Sequence, residues 1–144
     1  MLKKTTTYID FMGNQRTEDH YFNLSRSELT KLSLSVNGGL DKMLEAMIKE
    51  QDQAALMDWF EKLILMSYGK RSLDGKRFEK SEEISREFSQ TGAYDQIFME
   101  LVTGGEQVVA DFVAGIIPKD VAEQSKQAIR DGKVQLPDGM NVVK

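Results

Sequence analysis

The chain has 144 residues, which suits one domain or one domain with a tail. Hydrophobic residues make up 40% and charged residues 29% of it, a balance that argues against general disorder. The net charge of −4 argues against wholesale nucleic-acid binding, because nucleic-acid domains usually carry a basic excess. Cysteine is absent, which removes disulfides, thiolate metal sites and cysteine nucleophiles. No apolar run approaches the ~18 residues of a membrane span and no signal peptide is recognisable, so we expect a cytoplasmic protein.

Residues 5–24 are predicted to form a β-hairpin. Apolar or threonine side chains alternate from Thr5 to Met12, and a Gly13-Asn14 pair follows. A second run ends in the stretch from His20 to Leu24. A Gly-Asn turn between two β-rich runs is typical of a hairpin, which must pack on other elements because a lone hairpin is marginal in water.

Helical spacing of apolar residues dominates the rest of the chain. Ser25 and Glu28 match a capping box that opens the first helix, Asn37-Gly38-Gly39 is expected to end it, and Ser81 is a candidate N-cap further on. The apolar stripes with helical spacing are Leu29 to Leu32, Leu40 to Ile48, Leu56 to Leu65, Ile84 to Phe88, Tyr94 to Val102, Val108 to Ile117 and, more weakly, Val121 to Ile129. These patterns predict a mainly α fold, a compact bundle of about five to seven short helices with the N-terminal hairpin.

Pro118 divides the predicted fold into two parts. Residues 1–118 are expected to form a helical domain that includes the hairpin, because the stripes before Pro118 are strong. Residues 119–144 are expected to form a C-terminal helix and a flexible tail, since periodicity fades toward Pro137-Asp138-Gly139.

Candidate chemistry is sparse. His20 is the single histidine and lies beside Glu18 and Asp19, but a half-exposed strand histidine explains it better than acid–base work or metal binding. Four carboxylates surround one helix start, where they stabilise the helix dipole and face solvent; they are Glu79, Glu82, Glu83 and Glu87. We therefore expect no catalytic residue, no cofactor site and no metal site.

The polar link at residues 69–80 is the best candidate for a binding surface. Its segment 70–80 carries a local charge of +3, which leaves −7 on the remaining chain. A basic loop on an acidic protein can steer an acidic partner, although a solvated interhelix loop is the simpler explanation. The aromatic residue within it either tucks back onto the core or anchors a partner. The candidate partner-binding residues are Lys70, Arg71, Lys76, Arg77 and Phe78.

Several short motifs resemble the tail assembly chaperones of long-tailed bacteriophages. The first group lies near the N-terminus and comprises Tyr8-Ile9-Asp10-Phe11, Gly13-Asn14, the strand from Tyr21 to Ser25, and Gly38-Gly39-Leu40. The second and most distinctive group comprises Leu63-Ile64-Leu65, Tyr68-Gly69, Ser72, Asp74-Gly75, Arg77-Phe78, Lys80-Ser81, Phe88, Thr91 and Ala93-Tyr94, and Phe112 with Gly115-Ile116-Ile117-Pro118 resembles the usual end of the folded part. The resemblance spans about residues 8–118.

This resemblance implies a function that composition does not reveal. Such proteins act in the host cytoplasm, bind the tape measure protein, keep it soluble and extended, and help recruit tail tube subunits. They are absent from the finished virion. Many are extended by a programmed frameshift whose extra domain contacts the tube protein. Several copies on one long helical partner would gain by multivalency, so the resemblance leaves a homo-oligomer open.

Two other functions remain open from the residues alone. The first is a helical adaptor or regulator unrelated to phage, which would use the basic loop on an acidic partner. The second is a small hydrolase built on the acidic cluster and His20. Of the three, we expect the chaperone, which is not an enzyme.

Overall fold

A computed structural model describes residues 1–35 and 53–119 of the chain. Its elements, in chain order, are β1 (Leu2–Ile9), β2 (Gln15–Phe22), α1 (Arg26–Ser35), α2 (Gln53–Ser67), β3 (Tyr68–Arg71), β4 (Phe78–Glu79), α3 (Glu82–Ser89), α4 (Gly92–Thr103) and α5 (Glu106–Ile116). Within these residues the strands form one antiparallel sheet in the order β1-β2-β3-β4.

The predicted N-terminal hairpin is confirmed, although its first strand starts at Leu2 rather than near Thr5. Leu2 pairs with Phe22, and the ladder runs without interruption to the pair of Ile9 with Gln15. Leu2 packs on α5, where a Cβ built on Gly115 would lie only 2.9 Å from its Cδ1. This contact supplies the apolar packing that extends β1 toward the N-terminus.

The hairpin turn is organised by the carboxylate of Asp10. Its Oδ1 accepts hydrogen bonds from the backbone N–H groups of Met12 and Asn14, both at 2.9 Å. Gly13 adopts a φ of 86°, a left-handed conformation that glycine takes at little cost. The Gly13-Asn14 pair therefore forms the turn that the sequence predicts.

Three helices begin at capping residues: two of these, Ser25 and Ser81, were predicted, and the third is Thr91. The Glu28 backbone N–H donates to Ser25 Oγ at 3.2 Å, and the Ser25 N–H donates back to Glu28 Oε1 at 2.9 Å. This reciprocal pair is the capping box at the start of α1. Ser81 and Thr91 cap α3 and α4, since each hydroxyl accepts from a backbone N–H three residues later at 3.1 Å.

A cluster of aromatic rings forms the centre of the core. Phe22 is fully buried, and the rings of Tyr68, Phe88 and Phe112 lie with their centroids 5.5–6.0 Å from its own. Tyr68 and Phe88 stack on each other at 3.8 Å. Because Phe22 and Tyr68 are paired across β2 and β3, the sheet register brings these rings together.

Helices α2, α4 and α5 close the core around the sheet. The helix predicted around residues 56–65 is confirmed as α2, which continues directly into β3. The buried face of α2 packs against that of α4. Helix α5 is joined to the segment that follows β2, because the Leu24 N–H donates a hydrogen bond of 2.6 Å to Ile116 O. The buried residues of the three helices are Phe60, Leu63, Ile64, Ser67, Ala93, Ile97, Leu101, Val109, Phe112, Val113 and Ile116.

The fold is mixed α/β rather than mainly α. The described residues contain five helices, which agrees with the expected bundle, but they also contain a four-stranded sheet. The difference lies in the polar link at 69–80, where the chain forms a second hairpin from β3 and β4. These strands have four and two residues, too short for the period-two pattern that identifies strands in a sequence.

Some predictions fall outside the described residues. They are the helix end at Asn37-Gly38-Gly39, the stripe from Leu40 to Ile48, the stripe from Val121 to Ile129, and the C-terminal tail.

Candidate partner-binding surface

The predicted binding residues lie on the β3–β4 hairpin, which we call the basic hairpin (residues 70–80). Its turn is held by side chains: Ser72 Oγ donates to Asp74 Oδ1 at 2.6 Å, and the Lys76 N–H donates to the same carboxylate oxygen at 3.0 Å. These hydrogen bonds, that from Ser72 first, lower the pKa of Asp74. Gly75 follows with a φ of 75°, as its Asp-Gly turn requires. The basic hairpin is therefore an ordered feature, not an irregular link.

The structure brings only some of the predicted basic residues together. Arg71 stacks on Tyr21, with its guanidinium carbon 4.0 Å from the ring centroid and its Nη2 donating to the Tyr21 hydroxyl at 2.9 Å. Arg77 forms an ion pair of 3.2 Å with Glu79. Lys70 and Lys76 are both exposed. In the register of β3 and β4, Lys70 lies opposite Glu79, and the next pair is that of Arg71 with Phe78.

Phe78 packs onto the sheet and keeps part of its ring exposed. It pairs with Arg71 in the register, and its ring covers Gly69 so closely that a Cβ there would lie 2.6 Å from its Cε2. The Lys80 ammonium lies 5.6 Å from the same ring. Phe78 thus lies on the sheet over Gly69 with part of its ring exposed, and it is not among the side chains packed against the hydrophobic core of the described residues.

Leu73 at the tip of the basic hairpin was not among the predicted residues. Its side chain is fully exposed between polar neighbours in the turn. An apolar residue inside an otherwise polar turn is the signal that identifies it in the sequence. The basic hairpin thus presents an apolar tip flanked by cations, a combination that suits an acidic, amphipathic partner.

Lys80 belongs to the framework of this surface rather than to its exposed charges. Its Nζ lies 2.8 and 2.9 Å from the two carboxylate oxygens of Glu28, 2.5 Å from Asn23 O and 3.1 Å from Met66 O. Burial raises the pKa of Glu28, but the hydrogen bonds from Lys80 and Ser25 outweigh it and hold that pKa below its usual value. Sequence reasoning missed this contact because Glu28 lies 52 residues from Lys80.

His20 is buried, so the expectation of a half-exposed strand histidine is wrong. It is 7% exposed, its Nε2 shares a hydrogen bond of 2.9 Å with Thr6 Oγ1, and its ring lies 5.3 Å from that of Phe88. Burial lowers the pKa of His20, although Glu18 and Asp19 partly oppose the effect. His20 thus fills a polar niche in the core, where burial disfavours its charged form.

The acidic residues at the start of α3 lie on its exposed surface. Glu82, Glu83 and Glu87 are all exposed, while Glu79 pairs with Arg77. In residues 1–35 and 53–119, no three histidine, aspartate or glutamate side chains converge as metal ligands would. Across the same two ranges, no helix has the length and apolar character needed to cross a membrane.

Comparison with known proteins gives the family. No curated protein and no solved structure matches this chain. A family model described as phage tail assembly chaperone matches residues 1–142, which is nearly the whole chain and extends beyond the 8–118 span of the resemblance. Such membership implies a non-enzymatic role in assembly and speaks against an adaptor unrelated to phage. The chain belongs to a family of phage tail assembly chaperones.

Proposed function

We propose that this chain binds the tape measure protein of its phage, keeps it soluble, and helps recruit tail tube subunits around it. The observation that carries the proposal is the family match over residues 1–142. The protein acts in the host cytoplasm, leaves no copy in the finished virion, and performs no catalysis. Several copies associate with one another along the extended partner, since linked weak contacts gain affinity through multivalency.

The basic hairpin is the surface that we assign to the partner. It combines the exposed cations Lys70 and Lys76, the exposed apolar tip Leu73, and the half-buried ring of Phe78 next to Arg71. A tape measure protein is a long helical chain with apolar seams, so an acidic amphipathic segment of it complements this surface in both charge and apolarity.

Co-expression with the tape measure protein tests the proposal. We expect the partner to remain soluble and to co-purify with this chain, and to precipitate when it is expressed alone. Adding purified tail tube protein to the complex then tests recruitment. A partner that is equally soluble without this chain, with no complex recovered, would overturn the proposed function.

Charge reversal tests the assigned surface. We expect the change of Lys70, Arg71, Lys76 and Arg77 to glutamate to weaken partner binding and to abolish its salt dependence, because rim cations steer association. The matched control makes the same charge change at four exposed lysines elsewhere: Lys3, Lys31, Lys62 and Lys119. Equal effects of the two sets would mean that the basic hairpin acts only through the total charge of the protein and is not a specific binding surface.

A further inference from the structure

Arg71 is the arginine of the basic hairpin that is held in place without an ion pair. Its guanidinium carbon lies 4.0 Å from the centroid of the Tyr21 ring, and its Nη2 donates to the Tyr21 hydroxyl at 2.9 Å. Arg77 pairs with a glutamate instead, and so does Lys80. Arg71 forms no ion pair with any residue of 1–35 and 53–119, so this part of the chain does not neutralise its charge.

The held guanidinium still offers a complete pair of N–H groups. A guanidinium carries five N–H donors, of which Nη2 supplies two. One of these two bonds the hydroxyl of Tyr21, and the other completes a parallel pair with either the Nε–H or an Nη1–H of Arg71, whichever hydrogen is used. Such a pair matches the two oxygens of a carboxylate. Because Tyr21 already orders the side chain of Arg71, binding a carboxylate costs little further conformational entropy.

An apolar ring lies beside this guanidinium on the outer face of the sheet. Tyr21 points away from the core, since its two neighbours in β2 are buried. Gly69 is its partner in β3, and residues directly opposite each other point to the same side of a sheet. The ring of Phe78 lies over Gly69, and Phe78 is also the register partner of Arg71. The outer face therefore combines an aromatic ring with a fixed cation.

The charges near Arg71 favour an acidic ligand. Lys70 and Lys76 are exposed, and neither forms an ion pair within the two described ranges. Asp19 is the carboxylate on the same outer face of β2, and its Oδ1 accepts a hydrogen bond of 2.6 Å from Thr5 Oγ1. Three cations without ion pairs are thus opposed by one carboxylate, although the whole chain has a net charge of −4.

We propose that Arg71, positioned by Tyr21, forms a carboxylate-binding site on the outer face of the sheet. Its occupant is a glutamate or aspartate side chain of the tape measure protein, with a neighbouring apolar side chain against the ring of Phe78. Arg71 contacts the carboxylate, and Tyr21 is a positioning residue. The inference rests on the proposed assignment of the basic hairpin to this partner. It separates Arg71, which recognises geometry, from the hairpin's exposed lysines, which attract by charge alone.

Two synthetic peptides test the site without the tape measure protein. One contains leucine, alanine and glutamate at helical spacing, the other has glutamine in place of every glutamate, and both end in an amide. NMR titration of the full chain measures binding. The glutamate peptide is expected to shift the Nε–H resonance of Arg71 and to bind at least about tenfold more tightly than the glutamine peptide. A glutamine peptide with a free C-terminal carboxylate that binds equally tightly would overturn the assignment to a side chain.

A charge-conserving substitution separates geometry from charge. Arg71→Lys keeps the cation but removes the pair of N–H groups, so it should weaken binding of the glutamate peptide about tenfold and leave its salt dependence unchanged. The matched control is Arg77→Lys, the same substitution at an arginine of the same hairpin. It should change the affinity less than about twofold, since its ion pair with Glu79 lies on the surface. Equal effects of the two substitutions would overturn the inference.

The positioning role of Tyr21 has its own test. Tyr21→Phe keeps the ring and loses the hydroxyl, and Tyr21→Leu loses both; we expect affinity losses of about twofold and about fivefold. In an Arg71→Lys background either substitution should have little further effect, because Tyr21 acts through Arg71. Circular dichroism establishes that the variants are folded, and Tyr21→Phe carries the test if Tyr21→Leu unfolds. An equal loss in both backgrounds would contradict the positioning role.

Competition for the tape measure protein identifies the partner. Wild-type and Arg71→Lys chains with different tags are co-expressed with it, and the wild-type chain should be recovered in severalfold excess. Equal recovery of the two chains would overturn the inference and leave the proposed function standing. A wild-type chain that binds the glutamate peptide as expected but captures no tape measure protein would overturn the proposed function and the named partner, while the carboxylate site at Arg71 would stand.

Discussion

The imidazole of His20 lies on the core side of the hairpin, where burial disfavours its charged form. Thr6 and the ring of Phe88 surround it, and its pKa lies below its ordinary value of 6.5 because of this burial. The sequence placed His20 in a strand but could not reveal its burial. Acidic neighbours such as Glu18 and Asp19 are typical of an exposed strand position, while Phe88, the ring that covers His20, lies far away in the chain.

Mild acid is expected to destabilise the fold through His20. Below pH 6.5 the unfolded chain binds a proton that the folded chain excludes, so the free energy of unfolding falls as pH falls toward the lower folded pKa. The slope for one proton is at most about 1.4 kcal/mol per pH unit. Urea unfolding between pH 7.5 and 5.5 measures it. His20→Gln, which retains a partner for Thr6, should show a flatter profile, and an equally steep one would contradict this assignment.

Gly69 is required by the close approach of Phe78 and of the neighbouring strand. A Cβ at this position would lie 2.6 Å from Phe78 Cε2 and 2.9 Å from the Glu79 carbonyl oxygen. The ring can shift, but the carbonyl belongs to the backbone of β4. The contact explains why a glycine stands in a strand that is otherwise polar or aromatic.

Gly69→Ala is expected to lower the free energy of unfolding by about 1–3 kcal/mol, the usual cost of overpacking. Chemical denaturation measures the change. In a Phe78→Ala background the same substitution should cost less, because the nearest clashing atoms are gone. An equal cost in both backgrounds would mean that the Phe78 ring does not cover Gly69 in solution.

At the scale of elements, Lys80 joins four segments of the chain. It follows β4, and its ammonium bonds the start of α1 through Glu28, the end of β2 through Asn23, and the end of α2 through Met66. Its side chain is only 19% exposed, whereas the ion pair of Arg77 with Glu79 is 70% and 43% exposed. The ion pair of Lys80 with Glu28 is therefore part of the framework of the fold, whereas the ion pair of Arg77 with Glu79 lies on the surface.

Lys80→Met should lower the free energy of unfolding by about 2 kcal/mol, because it leaves a charged acceptor and two carbonyl groups without their donor. Partial exposure of Glu28 keeps the cost below that of a fully buried pair. The control Arg77→Met should cost about 0.5 kcal/mol or less, as surface pairs do. Denaturation of Lys80→Met, of Glu28→Gln and of the double variant that combines them gives the coupling between Lys80 and Glu28. An equal loss in the free energy of unfolding for Lys80→Met and Arg77→Met would contradict the structural role assigned to Lys80.

Elements whose signals are local were predictable from the sequence. The capping box of Ser25 and Glu28, the cap at Ser81, and the turns at Gly13 and Gly75 each depend on residues within a few positions of one another. The pairing of β2 with β3 was not predictable. Only Tyr21 and Phe22 take part on one side, and their partners follow a helix without any intervening turn signal.

The candidate surface, too, has features that the sequence predicts and features that depend on distant contacts. The charge of segment 70–80 made it a candidate surface in the sequence, although as a loop and not as a hairpin, because composition is visible without a fold. The contact that each side chain of this hairpin makes depends on residues outside the segment. Arg71 stacks on Tyr21, the ring of Phe78 lies against Gly69, and Lys80 bonds Glu28. Sequence patterns therefore locate a charged surface more readily than they say which of its charges are available.

At the scale of the molecule, α5 closes the core. Its buried residues cover Phe22, and its last carbonyl accepts the hydrogen bond from Leu24 at the end of the hairpin. The buried hydrophobic residues of the described part extend to Ile117, immediately before Pro118. The domain boundary at Pro118 stays a prediction, which truncation of the chain tests.

A chain ended at Pro118 is expected to unfold in one cooperative thermal transition, because it keeps every buried hydrophobic contact seen in the described residues. Circular dichroism and the slope of urea unfolding measure this. The control is a chain ended at Gly105, which lacks α5 and exposes Phe22 and Leu24; it should lose the cooperative transition. Loss of cooperativity in the longer chain as well would mean that residues beyond Pro118 contribute to the fold, and the domain would then extend toward residue 142, where the family match ends.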